Sequence, residues 1–188
     1  MKKAALRKLY KQRRNDLTTI ERQSFDLLLL QQLKSFPIPF FKQLLSYYPI
    51  EKHNEPNTLL FNNYLRTELP GLKICKPRIN DQGGMDAIMV DERTQYQHNE
   101  LDIPEPIEDK IVSPSAIEAV FVPLLAYDRK GYRVGYGKGF YDKYLSLCAP
   151  TIIKIGFSYF EPEDIIEDRN DYDLPLTLCF TPFEVYEF

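Results

Sequence analysis

Between residues 43 and 76 the hydrophobic pattern changes period twice, and this narrows the possible folds more than any other feature of the 188-residue chain. Residues 43–48 form a short apolar run of strand length. Asn57 then stands where a helix N-cap belongs, ahead of a helical pattern reaching about Leu69, and residues 73–76 return to strand character. Strands joined through a helix pair in parallel, and a parallel sheet needs cover on both faces. The alternation continues. Residues 85–90 and 119–123 read as strands, 139–147 as a helix, 152–157 as a buried strand and 178–180 as a last core strand. The expectation is an α/β layered domain with a mostly parallel sheet flanked by helices.

Two helices precede this unit. Over residues 3–15, Leu6, Leu9, Tyr10 and Arg13 recur at three- and four-residue spacing, a narrow apolar stripe on a basic helix. Thr18 and Glu21 have the form of a capping box for a second helix. Its apolar face is Phe25, Leu28, Leu29, Leu33 and Phe36, ended by Pro37 and Pro39. An N-terminal helical hairpin follows from this pattern. Residues 91–115 are polar and proline-bearing and read as irregular apart from short turns.

A chain of this length, 44% hydrophobic, can bury one substantial core, so residues 1–188 are expected to form one domain. The 24 basic and 27 acidic residues give a formal charge of -3, so no whole-molecule field favours nucleic acid or an anionic membrane, and any anion site must be local. Cys75, Cys148 and Cys179 are odd in number and widely spaced, which argues against a disulfide framework or a zinc site and for ordinary buried thiols. The start, MKKAALRKLYKQRR, is charged where a signal peptide is apolar, and no window approaches the length of a membrane span, so the cytoplasm is the expected location.

Four of the eight glycines, Gly131, Gly135, Gly137 and Gly139, fall within nine residues, beside Arg129, Lys130, Arg133 and Lys138. Glycine allows left-handed backbone and close approach, so successive N–H groups can converge on phosphate oxygens ahead of a helix. The spacing matches neither GxxxxGK[ST] nor GxGxxG. A basic hairpin whose glycines serve turns is the bland alternative. Asp142 follows at once; beside phosphates a carboxylate calls for a bridging cation, Mg²⁺, although an acid near a helix N-terminus is also favoured by the dipole alone.

The stretch VPLLAYDRKGYRVGYGKGFYDKYL, residues 122–145, resembles the signature of the 5-formyltetrahydrofolate cyclo-ligase family, also called methenyltetrahydrofolate synthetase. The likeness consists of a proline-ended strand, Asp128, Gly131 and Arg133, then GYGKGFYD. Weaker matches extend over most of the chain: KxxxR as Lys3 and Arg7, a glutamate-bearing loop SYYPIEKHNEPNT with Glu55, the pair Pro77 and Arg78, and Met85. The resemblance implies an enzyme that uses ATP and Mg²⁺ to close 5-formyltetrahydrofolate, with or without a polyglutamate tail, to 5,10-methenyltetrahydrofolate, releasing ADP and phosphate. It further implies a monomer that binds neither nucleic acid nor membrane.

Carried over residue by residue, the resemblance assigns nucleotide contact to Lys3, Ala4, Ala5, Leu6 and Arg7, and to Arg133, Val134, Gly135, Tyr136, Gly137, Lys138, Gly139, Phe140 and Tyr141. Lys138 and Arg133 are the candidates for stabilising the transferring phosphoryl group, and Asp142 with Asp173 for holding the metal. For the pterin it implies Glu55 on the polar edge, with Tyr48 or Ile50, Met85 and residues Tyr136, Gly137, Lys138, Gly139 and Phe140 along an apolar slot. His53 and His98 receive no role. Phe140 stands where the family often has tyrosine, and Thr177 where an acid is common, which matters only if that acid rather than Asp173 is the ligand. Two other classes share some of these features: a phosphotransferase acting on another small molecule, and a nucleic-acid module using residues 2–14 and 129–143. The negative overall charge and the placement of aromatics beside glycines favour the small-molecule enzyme.

Overall fold

The computed structural model describes residues 1–100 and 102–188. The chain opens with helices α1 (Lys3–Asp16) and α2 (Thr19–Ser35), followed by strand β1 (Gln43–Leu45), helix α3 (Thr58–Glu68), and strands β2 (Lys73–Ile79) and β3 (Met85–Val90). Short strands β4 (Tyr96–His98), β5 (Pro104–Pro106) and β6 (Ile111–Val112) lead to β7 (Ala119–Phe121). Then come β8 (Ala126–Tyr127), β9 (Arg133–Val134), helix α4 (Phe140–Leu145), β10 (Ile153–Phe157), β11 (Leu178–Phe180) and β12 (Val185–Glu187).

Among the described residues the main sheet has the order β12-β11-β10-β7-β1-β2-β3-β6. Its centre is parallel from β2 through β1, β7 and β10 to β11, while β3, β6 and β12 run antiparallel to their neighbours at the two ends. The expected α/β fold with a mostly parallel sheet is therefore the observed one. Side chains alternate across the sheet as a period of two requires. Leu44, Phe121, Phe157 and Phe180 face one side with Leu29 and Leu33 of α2 and Phe61 and Leu65 of α3, whereas Leu45, Val120 and Cys179 face the other with Tyr144 and Leu145 of α4. The rings of Phe61, Phe157 and Phe180 stack in series, at 4.2 Å and 5.5 Å between centroids.

The helical hairpin is present, with its capping box formed: Glu21 N donates to Thr18 Oγ1 (3.2 Å) and Thr18 N donates to the Glu21 carboxylate (2.8 Å). Such a cap stabilises a helix start by about 1 kcal/mol. The stripe on α1 is corrected. The buried positions are Leu6, Tyr10 and Arg14, while Leu9 is exposed and Arg13 lies outside, its guanidinium 4.5 Å from the Phe160 ring. Leu6 and Tyr10 pack on Leu125, Ala126 and Val134 of the β8–β9 hairpin, a small cluster separate from the two faces of the sheet.

Other boundaries moved for local reasons. β1 ends at Leu45 rather than Tyr48, although Ser46 N still donates to Cys75 O at 2.9 Å. β2 runs past Lys76 to Ile79 because β3 continues to pair with it where β1 has stopped, leaving Pro77 with a strand on one side only. The segment read as irregular holds the β4–β5 ribbon and β6. β4 is wholly exposed and β5 begins and ends in proline, so neither shows a hydrophobic period. The three cysteines are free, and burial pushes Cys75 up to about 12 and Cys148 up to about 11. No helix among the described residues is long and apolar enough to cross a membrane.

Gly131 closes the β8–β9 turn at φ +81°, and a Cβ there would lie 2.7 Å from Cγ of Phe188. Gly131→Ala is expected to lower stability by about 1–2 kcal/mol through left-handed strain and this overlap. Combined with Phe188→Ala its cost should shrink in urea unfolding, since only the strain remains.

Candidate active site

β1 sits between β2 and β7, so the chain leaves β1 toward one side of the sheet and leaves β7 toward the other. Ligands of open α/β sheets bind in the crevice outside the carboxyl ends of such a strand pair. Two segments meet there. One follows β1 and carries a short 3-10 turn (Glu51–His53) and Glu55; the other follows β7 and carries the β8–β9 hairpin and the glycine-rich loop. Asp128 fixes the hairpin: fully buried, it accepts from the backbone N–H groups of Lys130 (3.0 Å), Tyr132 (3.1 Å) and Ile166 (3.1 Å). This part of the sequence signature is thus structural, and the reading of glycine turns holds at Gly131; Gly137 and Gly139 also take positive φ, at +93° and +73°.

Past the hairpin the charges converge. Arg133 donates to the Asp142 carboxylate (2.9 Å) and to Leu174 O (2.8 Å), and Lys3 pairs with Asp173 at 2.5 Å with both side chains mostly buried. Asp173 also accepts from Asn170 N (2.7 Å). Arg133 therefore links the Asp142 carboxylate to the backbone next to Asp173; each acid is ion-paired, Asp142 with Arg133 and Asp173 with Lys3, and no group of three or more His, Cys, Asp or Glu that could hold a metal ion occurs among the described residues. Arg7 Nε donates to Gly135 O (2.9 Å), and at Gly137, φ +93°, a Cβ would stand 3.4 Å from that guanidinium, which is how α1 closes over the loop. Lys138 is exposed at the loop tip, and among the described residues no carboxylate pairs with it.

A more apolar recess adjoins this. Glu55 is 7% exposed and accepts from Ile50 N at 2.8 Å. Burial pushes its carboxyl above the usual range; the Tyr136 hydroxyl and the Arg14 charge hold it back in part. Tyr136 stacks on His53, ring centroids 4.9 Å apart, and receives an N–H from Arg14 at 3.0 Å. Burial, with Lys11, Lys52 and Arg14 nearby, holds His53 below its usual value. The Tyr141 hydroxyl is buried without a hydrogen-bond partner. A polar ligand atom would satisfy it.

Other predicted residues have structural contacts of their own. Ala4 and Ala5 are exposed on the outer face of α1, and Leu6 is fully buried in its core contact. The Val134 carbonyl is taken by Leu125 N at 2.7 Å, so free loop backbone begins after it. Met85, with Phe140 and Tyr141, packs into the core under α4. Tyr48 turns to meet Tyr96 edge-on at 5.2 Å, while neighbouring Ile50 reaches Glu55. Thr177 caps the β10–β11 ladder, its hydroxyl accepting from Lys154 N (3.1 Å), so its departure from the family pattern has a structural role.

Residues 1–158 match the 5-formyltetrahydrofolate cyclo-ligase family. The 5-formyltetrahydrofolate cyclo-ligase of Mycoplasma genitalium is 34% identical over 181 residues, 94% of this chain and 97% of its own. This chain belongs to the 5-formyltetrahydrofolate cyclo-ligase family. It is an enzyme of that kind. The NMR structure of Aquifex aeolicus 5,10-methenyltetrahydrofolate synthetase superposes with a TM-score of 0.81 at 28% identity, covering 100% of this chain and 93% of that one. A 5,10-methenyltetrahydrofolate synthetase from Mycoplasma pneumoniae gives 0.74 at 29% identity, covering 96% and 98%.

Two buried cations of the cyclo-ligase escaped the sequence reading. Arg14 was hidden in a uniformly basic helix, though Lys3, Arg7, Tyr10 and Arg14 share one face at helical spacing. Lys76, 3% exposed in the middle of β2, donates to Tyr47 O (3.1 Å) and lies 4.2 Å from the centre of the Tyr48 ring. Burial pulls its ammonium down to about 7, so the folded state binds fewer protons than the unfolded chain between pH ~7 and ~10. Stability relative to Lys76→Met should therefore rise with pH across that window and be flat below it, by a few kcal/mol in all, measured by urea unfolding at a series of pH values.

Proposed function

We propose that the enzyme closes 5-formyltetrahydrofolate to 5,10-methenyltetrahydrofolate at the expense of ATP, releasing ADP and phosphate. The observation that carries this reading is the junction of a cation-lined, glycine-rich loop with a recess holding a buried carboxylate, both at the carboxyl ends of β1 and β7. The loop suits a triphosphate, and Glu55 suits the N–H-rich edge of a pterin, because an ionised carboxylate accepts hydrogen bonds and donates none.

The chemistry needs no covalent nucleophile. The formyl oxygen attacks the γ-phosphorus and ADP leaves; N10 then attacks the activated formyl carbon, and the C–O bond breaks with release of phosphate. Catalysis of this sequence rests on positioning and on neutralising charge at the phosphoryl oxygens. Lys3 and Arg7 would meet the nucleotide along the inner face of α1, with the loop amides from Gly135 onward beside it. The ammonium of Lys138, exposed at the loop tip, would follow the phosphoryl group, and Arg133 would hold the loop against α4. Asp142 and Asp173 would hold Mg²⁺, which supplies positive charge between phosphate oxygens when bound. Two carboxylates suit this ion, since it takes its other ligands from phosphate and water.

Methenyl product absorbs where the substrate does not, so an absorbance rise on mixing enzyme, 5-formyltetrahydrofolate and Mg²⁺ should require ATP. No rise, with ATP still hydrolysed, would keep the phosphate site and remove folate as the substrate. Lys138→Ala is expected to lower kcat by about 10²–10³ with a smaller change in folate KM; near-wild-type turnover would move the phosphoryl contact elsewhere. Asp142→Asn should raise the Mg²⁺ concentration for half-maximal rate by about tenfold or more, and an unchanged metal dependence would place the ion on other residues.

A further inference from the structure

Arg14 is 1% exposed, yet among the described residues no carboxylate forms an ion pair with it. Its terminal nitrogens donate to Leu124 O (2.5 Å) and to the Tyr136 hydroxyl (3.0 Å), while Nε is buried without a partner. A guanidinium can only donate, so the Tyr136 oxygen must accept from it. Tyr136 belongs to the glycine-rich loop and is thereby fixed in direction by a residue of α1. The buried Glu55 carboxylate lies one residue beyond Asn54 on the loop after β1.

The backbone of Arg14 holds the other segment. Asn54, in the left-handed region at φ 48°, donates its side-chain amide to Arg14 O at 3.0 Å. One residue of α1 therefore grips both the loop after β1 and the glycine-rich loop. The opposite end of the inner face carries Lys3 and Arg7, and at about 1.5 Å per residue the helix spans some 16 Å from Lys3 to Arg14. A single rigid element touches the nucleotide side at one end and the folate side at the other.

Resting on the functional reading above, we propose that Arg14 is a positioning residue that couples the two substrates: nucleotide drawn onto Lys3 and Arg7 seats α1, and α1 through Arg14 orders Tyr136 and Glu55 for the pterin. Coupling of this kind is reciprocal, so folate tightens nucleotide by the same factor. It requires no new contact between the two ligands, only that ordering done by one is not repeated for the other.

The test measures the Kd of 5-formyltetrahydrofolate by calorimetry with and without a non-hydrolysable ATP analogue and Mg²⁺, on the full chain. For wild type the analogue should tighten folate by about tenfold, within the usual range of site-to-site coupling. Tyr136→Phe keeps the stack on His53 and removes only the hydroxyl; it should bring the ratio close to one with the melting temperature little changed. Arg14→Lys, unable to span Leu124 O and Tyr136 together, should do the same, and the double variant should lose nothing more. A wild-type ratio near one with both compounds bound, or a wild-type ratio retained in Tyr136→Phe, overturns the coupling alone. Failure of wild type to bind either compound overturns the functional reading and the coupling with it.

Discussion

The parallel pairing of β1 with β7 sends the chain to opposite faces of the sheet: α3 follows β1 and packs on one face, α4 follows β7 and packs on the other. The two outgoing segments are parted at their base and enclose a crevice that helix packing does not fill. Most groups assigned to the site lie on these segments or reach over them from α1; Asp173 comes from the connection between β10 and β11 and pairs with Lys3. The one addition the fold needs is a roof, and α1 supplies it by resting Leu6 and Tyr10 on the β8–β9 hairpin.

That roof is held largely by polar contacts. Lys3, Arg7, Tyr10 and Arg14 meet Asp173, Gly135 O, Glu163 and the Tyr136 hydroxyl in turn along one face, and only the small apolar cluster lies among them. Buried ion pairs and hydrogen bonds add little net stability compared with apolar packing, but they fix direction and register. The arrangement suits an element that must be aligned to ligands on both sides and whose partners are themselves charged.

Most of the fold was legible because parallel strands buried on both faces read as continuous apolar runs; residues 119–121 and 178–180 do so, and 153–157 is broken only by Lys154. The capping box at Thr18 and the N-cap at Asn57 were likewise local signals and stood where expected. Strands β4, β5 and β12 were not legible, since exposed or half-exposed edge strands have no hydrophobic period to read. On α1 the pattern misled: Leu9 looks more apolar than Arg14, yet Arg14 is inside, because buried carbonyl and hydroxyl acceptors on the hairpin favour a donor there over a methyl group. The glycine-rich loop, Asp142 and Glu55 were legible as chemistry. The contacts of Arg14 with Asn54 and Tyr136 were not, for they join residues 40 and 122 positions apart, which no local spacing encodes.

Both ends of the sheet close with very short antiparallel strands, two residues in β6 and three in β12. Each turns its last free ladder groups outward over a length too small to seat another strand. The longer strands β2 and β10, of seven and five residues, lie inside the sheet and are paired on both sides. Resistance to self-association through the sheet is thus written into strand length rather than into surface charge, and changes of charge around the substrate crevice leave it untouched.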